Sequence, residues 1–347
     1  MFNKVICFGD IHFGEKQNSP VHNQDCIDFL KWMIGVAKEQ GIKDCIFLGD
    51  WHHDRYRVSV STLQYSSEGL SLLNDYFDNI WFIEGNHDLL HRQRRDVSSI
   101  GFVNGYSNIT LIDEKTIFET DDGDVALVPW LIGEEWKELK GAEYKYVFGH
   151  FELPTFLLNA LVRKPEKGNE LNKEALANCG YVFSGHFHKR QIQGNIHYIS
   201  SPFGHNFNDV DDKERGCMTL EWGGEPVYHD WPDAPIYRRW DIADLMENPE
   251  EVIGDDKNIY AEIFYTDDIS YTQASYYKEE LEEKFSFRKI ILKGIKTKDN
   301  SEGEEITAKT VQSVDSIVIE QLQTIDSKTY DNDLLIEEYQ ALDTYGK

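Results

Sequence analysis

Five phrases of one kind decide the fold of this chain: VICFGDIH (5–12), CIFLGDWHH (45–53), WFIEGNHD (81–88), YVFGH (146–150) and YVFSGHFH (181–188). In each phrase an apolar run ends at a glycine, and a side chain that can bind a metal follows. A short apolar run bounded by glycine is typical of a buried strand, so these side chains fall in loops at strand ends. The phrases supply the candidate site residues Asp10, His12, Asp50, Asn86, His87, His150, His186 and His188.

The first three phrases alternate with two helical patterns. We predict strands at 4–9, 44–48 and 80–83. Apolar residues at helical spacing predict helices at 24–40 and 58–77 between them. The order strand–helix–strand–helix–strand favours an α/β domain with its ligands at the C-terminal ends of strands.

The middle of the chain is richer in short strands. The Asp122-Gly123 turn predicts a hairpin. We therefore expect two packed β-sheets with helices outside them. The predicted strands are 109–112, 116–119, 124–128, 144–148, 181–183, 196–199 and 217–222.

Three prolines, at 226, 232 and 235, indicate a domain boundary. Beyond it, residues 260–292 show the pattern of a small βαβ unit. Residues 297–305 read as a flexible linker, and 307–342 carries two amphipathic helices. These helices pack on each other or dock a partner, and the linker favours docking.

Composition bounds the class of protein. The chain has 347 residues, 40% of them hydrophobic, and a net charge of −27, which argues against nonspecific polyanion binding by the bare surface. The five scattered cysteines form no CxxC pair and are typical of reduced thiols in a cytosolic protein. We expect no signal peptide and no membrane span, because no stretch approaches roughly 20 apolar residues.

The candidate ligands indicate a metal site. Carboxylates with imidazoles suit Mn²⁺, Fe²⁺ or Zn²⁺ better than Ca²⁺. Seven ligands are too many for one ion and suit two ions that share a carboxylate. Two ions about 3.5–4 Å apart can clamp a phosphate and activate a water.

The succession D-x-H (10–12), GD (49–50), GNHD (85–88), GH (149–150) and GHFH (185–188) resembles the calcineurin-like metallophosphoesterase family. The resemblance implies an α/β fold of two packed mixed β-sheets flanked by helices, a small α+β cap domain and C-terminal helices. It also implies a role for each residue. One metal would take Asp10, His12 and His188; the other would take Asn86, His150 and His186; Asp50 would bridge them; His87 would be a catalytic acid, and His53 its partner.

Further features are similar to the SbcD/Mre11 nucleases, and most similar to tailed-phage recombination nuclease subunits. They are the Ser-Pro loop at 200–216, Val128-Pro129-Trp130 and GHFELP (149–154). This resemblance implies a nuclease domain (1–230), a capping domain (236–296), a linker (297–306) and a helical segment (307–347) that docks an SbcC/Rad50-like ATPase. It further implies a homodimer and a cytoplasmic location, which is the host cytoplasm if the chain is phage-encoded.

The implied activity is that of a Mn²⁺-dependent DNA nuclease, with Mg²⁺ as the other candidate ion. It would cut duplex ends as an exonuclease and single strands or hairpins as an endonuclease, in recombination and repair, by attack of a metal-activated hydroxide. A phosphatase or small-molecule phosphodiesterase of the same fold is the alternative, and a catalytically silent scaffold is a second.

For some residues the sequence allows two interpretations of their role. The arginines near the motifs either contact DNA or belong to an ordinary solvated loop. The helix at 58–77 is either core or a homodimer face. We assign no catalytic part to His22, His197 and His229, and favour none for His91 and His205. The arginines are Arg55, Arg92, Arg94 and Arg95.

Overall fold

In a computed structural model of the chain, residues 1–157 and 163–295 are described. The strands in these ranges are numbered in chain order. They are β1 (Lys4–Phe8), β2 (Asp44–Phe47), β3 (Asn79–Ile83), β4 (Leu89–His91), β5 (Arg94–Ser98), β6 (Ile109–Ile112), β7 (Thr116–Phe118), β8 (Val125–Val128), β9 (Tyr146–His150), β10 (Tyr181–Gly185), β11 (Gln191–Gln193), β12 (Ile196–Tyr198), β13 (Gly216–Glu221), β14 (Val227–Asp230), β15 (Ile236–Asp241), β16 (Ile259–Thr266) and β17 (Phe287–Ile295).

The helices of the same ranges are fewer. The α-helices are α1 (Pro20–Gln40), α2 (Val60–Tyr76), α3 (Ile242–Glu247), α4 (Pro249–Ile253) and α5 (Tyr271–Lys284). Short 3₁₀ helices lie at Gly101–Gly105, Glu135–Leu139, Glu174–Leu176 and Phe207–Asp209. The segment Glu15–Asn18 is a left-handed turn, in which the φ angles of Lys16 and Gln17 are 53° and 60°.

Two six-stranded sheets dominate the fold. The first has the order β14–β13–β1–β2–β3–β6, and the second has the order β11–β12–β10–β9–β8–β7. Four neighbouring strands are parallel in each sheet, β1–β2–β3–β6 and β12–β10–β9–β8, and the outer strands are antiparallel. The prediction of two packed mixed sheets is confirmed.

The core explains why the strand sequences are continuously apolar. Val5 and Cys7 of β1 face the second sheet and pack with residues such as Phe148. The alternate residues Ile6 and Phe8 face α1 and α2 on the other side of the first sheet. A strand covered on both faces has no polar face, which is typical of parallel sheets.

Helix α1 begins four residues before the predicted start. Ser19 is the N-cap and accepts a hydrogen bond from the amide of His22, while Pro20 occupies the first turn. Proline is favoured there because its missing N–H has no partner in a helix anyway. The polar first turn concealed this start from the apolar spacing.

A small parallel sheet, β15–β16–β17, follows the two large ones, and α5 connects β16 to β17. The sequence predicted the last two strands and missed β15. The proline-rich boundary is also narrower than expected, because β14 lies inside it and pairs with β13. The linker (297–306) and the helix pair (307–347) lie outside the described residues.

Two further observations concern the helices and the cysteines. Within the described ranges, no helix is both long and apolar enough to cross a membrane. All five cysteines fall in those ranges and are buried free thiols.

Candidate metal centre

The predicted ligands meet where parallel strands of both sheets end. Strands β1, β2 and β3 of the first sheet lead into Asp10, Asp50 and Asn86. Strand β9 of the second sheet ends on His150, and β10 ends just before His186. The fold therefore brings together residues that are up to 178 positions apart in sequence.

One ligand group consists of Asp10, His12 and His188, whose ligand atoms lie within 4.8 Å of one another. The Nε2 atoms of His12 and His188 are 3.2 Å apart. Asp10 Oδ1 accepts a hydrogen bond from the amide of His186 at 2.8 Å. Asp10 Oδ2 is buried and has no hydrogen-bond partner among the described residues. An unpaired buried carboxylate oxygen is costly unless a cation compensates it.

The second group consists of Asp50, His150 and His186, again within 4.8 Å. His150 Nδ1–H donates to the carbonyl of Leu48 at 2.7 Å, which leaves its Nε2 as the lone-pair atom. That Nε2 lies 3.1 Å from Asn86 Oδ1. Two acceptor atoms this close call for a proton or a cation between them.

Asp50 belongs to the second group and also approaches the first. Its Oδ1 accepts from the amide of His87 at 2.8 Å. Its Oδ2 is 3.3 Å from Nε2 of His150 and 3.7 Å from Nε2 of His12. One carboxylate oxygen therefore faces a ligand of each group, which is the geometry that a bridging ligand requires.

Burial and neighbouring charges shift the pKa values of the candidate ligands away from their usual values. Burial raises the pKa of Asp10 to about 7 and lowers those of His186 and His188 to about 4 and about 3. Burial also raises the pKa of Asp50, but His150 and other rings hold it well below its usual value. Burial lowers the pKa of His150, yet Asp50 outweighs this and raises it to about 9. The low pKa values keep the rings of His186 and His188 neutral, which is the form that binds divalent cations, so these two residues fit the predicted metals.

The backbone at the ligands is strained. The φ angles of Asp10, His12, Asp50 and His186 are 53°, 52°, 63° and 85°, in the left-handed region that side chains rarely adopt. Such conformations persist only where the surroundings enforce them, and they are concentrated at functional sites.

A glycine makes the close approach of two motifs possible. A Cβ on Gly85 would lie 2.3 Å from Asp50 Oδ1 and 2.4 Å from its backbone nitrogen. The glycine of GNHD is therefore needed to bring Asn86 and Asp50 together.

His87 lies beside the ligands, with its ring centroid 4.9 Å from that of His12. Its Nδ1–H donates to the backbone carbonyl of His53 at 2.7 Å, and the two rings stack at 5.5 Å. The sequence predicted His53 as the partner of His87. The hydrogen bond is made by the main chain of His53, while its ring packs against His87.

Asp88 is a residue to which the sequence assigned no role. It is fully buried, and its carboxylate accepts four backbone amides. Oδ2 accepts from Asp50 and Gly85, both at 2.9 Å, and Oδ1 accepts from Trp51 at 2.9 Å and His52 at 3.3 Å. Asp88 thereby ties the GD loop to the GNHD loop. Its place inside the GNHD phrase was the one available signal.

The predicted DNA-contacting arginines differ in their surroundings. Arg95 is tied to Glu135 by two hydrogen bonds of 2.6 and 2.8 Å. Arg92 lies 4.9 Å above the ring of Trp130, and Arg55 is half-buried. Arg94 has 61% of its side chain exposed and is 3.6 Å from Asp96. These contacts make Arg95 part of the framework and leave Arg94 facing solvent.

Comparison with known proteins places the chain in a class. The calcineurin-like phosphoesterase family matches residues 3–190, more than half of the chain, so the chain belongs to that family. Enzymes of this family use divalent metals, and the chain is a metal-dependent phosphoesterase.

Among individual proteins, the chain is similar to exonuclease subunit 1 of Enterobacteria phage T4. The two are 28% identical over 214 residues, which is 60% of this chain and 62% of the phage protein, less than two thirds of its length.

Among solved structures, the chain resembles a nuclease MPE of Pseudomonas putida, with 17% identity, a TM-score of 0.29, and coverage of 56% of this chain and 66% of the other. It also resembles a dimetal phosphatase from Danio rerio, with 12% identity, a TM-score of 0.37, and coverage of 63% and 92%.

Proposed function

We propose that the chain is a Mn²⁺-dependent DNA nuclease, the nuclease subunit of an SbcC/Rad50-type recombination and repair complex. The observation that carries the proposal is the pair of neighbouring ligand groups, which Asp50 connects because it belongs to one and approaches the other. His87 lies next to them. The similarity to a phage exonuclease subunit supports DNA as the substrate and a multi-subunit assembly.

We assign the metal-binding roles according to the two ligand groups. Asp10, His12 and His188 would hold one ion; Asn86, His150 and His186 would hold the other; Asp50 would serve both. When bound, the ions supply Lewis acidity and positive charge at the scissile phosphate. The ligand set contains Asp, Asn and His only, which is compatible with Mn²⁺ and with Mg²⁺.

His87 is proposed to act on the substrate. Its Nδ1–H is fixed by the carbonyl of His53, so its Nε2 can face the substrate and donate a proton to the leaving oxygen. The stacked ring of His53 restricts the rotation of His87.

A nuclease assay tests the proposal. We expect the wild-type protein to degrade end-labelled duplex DNA with Mn²⁺ and to leave a generic phosphatase substrate largely uncleaved. His87→Asn should retain both metals and lose about 10²- to 10⁴-fold in cleavage rate. The matched control is His197→Asn, because His197 is a buried histidine that bonds Tyr228 and lies outside both ligand groups.

Two results would contradict this assignment. Normal cleavage by His87→Asn would remove His87 from the mechanism. Hydrolysis of the phosphatase substrate without DNA cleavage would favour the small-molecule alternative, with which the net charge of −27 is compatible.

The ATPase partner is proposed to bind the segment 307–347. Deletion of residues 306–347 should abolish co-purification with the ATPase and spare Mn²⁺-dependent cleavage of short substrates. An unchanged complex would refute this docking site.

A homodimer is proposed through the start of α2. Val60 and Leu63 are 86% and 49% exposed there, which is unusual for apolar side chains so close together. Light scattering on Val60→Asp should show a monomer if this face is the interface, and an unchanged dimer would exclude it.

A further inference from the structure

The backbone that carries the first two ligands is held by side chains at three consecutive carbonyl oxygens. His205 Nε2–H donates to the carbonyl of Asp10 at 3.1 Å. The thiol of Cys26 donates to the carbonyl of Ile11 at 3.3 Å. His22 Nε2–H donates to the carbonyl of His12 at 2.9 Å. His22, Cys26 and His205 are all completely buried.

The amides of the same segment are bonded as well. The amide of Asp10 donates to Gly49 at 2.8 Å, and that of His12 donates to Asp50 at 3.1 Å. Both Asp10 and His12 have left-handed φ angles. This backbone conformation is energetically unfavourable for any residue with a Cβ. The hydrogen bonds on both sides of the segment are what can hold it there.

We infer that His22 and His205, together with Cys26 on the carbonyl between theirs, are positioning residues for the half-site of Asp10, His12 and His188. The inference rests on the proposed two-metal function. Each histidine fixes the carbonyl of a residue whose side chain is a ligand, and so sets the direction in which that side chain leaves the backbone. Partners of ligand residues commonly change metal affinity by about 10- to 100-fold when removed.

His205 is itself fixed on two further sides. Its Nδ1 lies 2.5 Å from Glu15 Oε2. Its carbonyl accepts the hydroxyl of Tyr237 at 2.7 Å, and Tyr237 belongs to β15 of the small sheet. The ring also packs 4.7 Å from that of His188. The position of His205 is therefore determined by Glu15 and Tyr237 as well as by its contact with His188.

Glu15, His22 and His205 come within 4.8 Å of one another, so a third cation is the competing explanation of this cluster. One contact favours the positioning role. Glu15 Oε2 and His205 Nδ1 are at ion-pair distance, while Nε2 of His22 and Nε2 of His205 are each bonded to a backbone carbonyl. The only carboxylate of the group thus already has a partner within the protein.

The test measures Mn²⁺ binding at one half-site. In an Asn86→Ala background, which weakens the second half-site, His22→Leu and His205→Leu should lower Mn²⁺ affinity about 10- to 100-fold by calorimetric titration. The Gln variants, whose side chains keep an N–H donor, should recover most of it. His197→Leu in the same background is the matched control and should bind like its parent.

The outcomes separate the explanations. A lower melting temperature in EDTA with unchanged Mn²⁺ affinity would show a merely structural role and overturn the inference. Three ions per wild-type chain, reduced to two by Glu15→Gln, would replace it with a third cation site. If the Leu variants do not fold, Cys26→Ala should still lower affinity by about two- to fivefold, and no change would overturn it.

The readout does not depend on nuclease activity. Suppose that the wild type binds Mn²⁺ normally but does not cleave DNA, and that His22→Leu and His205→Leu bind Mn²⁺ more weakly. This result would refute the proposed substrate and leave the positioning role standing.

Discussion

The substitution Asp88→Asn tests whether one buried carboxylate holds together the two loops that carry the candidate ligands Asp50 and Asn86. In the wild type, Asp88 accepts two amides at each oxygen. An asparagine can keep the acceptor for one pair only, because its NH₂ group would face the N–H groups of the other pair. Two buried amides, such as those of Asp50 and Gly85, would then lose their acceptor.

The expected cost follows from these two amides. Burial and the neighbouring charge of Asp50 raise the pKa of Asp88 to about 8, while the amides of Gly85 and His52 lower it by donating to the ionised carboxylate. A buried donor without a partner costs about 1–3 kcal/mol, which gives about 4 kcal/mol for two. At about 2 °C per kcal/mol for a chain of this size, the melting temperature should fall by about 8 °C.

The assay is thermal unfolding in EDTA, followed by metal analysis after reloading with Mn²⁺. We expect both the lower melting temperature and reduced metal content, because the loops of Asp50 and Asn86 would separate. Asp78→Asn is the control, since Asp78 is exposed and should change stability by less than about 0.5 kcal/mol. A loss below about 1 kcal/mol for Asp88→Asn would refute the joining role.

Two other substitutions probe separate parts of the site. Asp50→Ala should lower metal content at both half-sites, measured by elemental analysis, and one intact site would exclude the bridging role. Arg95→Gln should destabilise the protein by about 2 kcal/mol in denaturant unfolding through the loss of Glu135, without a specific effect on DNA affinity. Arg94→Gln should weaken DNA binding and reduce its salt dependence by about one phosphate contact, with stability unchanged. The reverse pattern would contradict the assignment of these two arginines.

The sequence predicted the main strands and the meeting of the candidate ligands at strand ends for a physical reason, whereas their division into two half-sites came from the family resemblance. A short apolar run that stops at glycine has few alternatives to a buried strand, and parallel strands place their C-terminal ends at one edge. The positions of Asp10, Asp50 and Asn86 followed from that local rule.

Other features depend on contacts between distant segments and carry no local signal. The hairpin of β4 and β5 has a basic run at its turn, residues 91–95, which is typical of a loop, and its strand character comes from the pairing of the two short segments. Asp88 and His205 act on backbone groups of Asp50 and Asp10, 38 and 195 positions away. A sequence pattern records side chains, so a role exerted on a distant carbonyl or amide is invisible to it.

The negative net charge of the chain is compatible with a phosphate-binding site. A net charge of −27 repels a polyanion at long range, and the repulsion is screened within about 10 Å at ordinary salt. Within the site, two divalent ions would outweigh the charges of Asp10 and Asp50 and leave a local positive centre for one phosphate. With attraction limited to so few phosphates, the proposed nuclease would bind long DNA weakly on its own. A partner that supplies DNA affinity would compensate for this weak binding, which is a physical argument for the proposed ATPase complex.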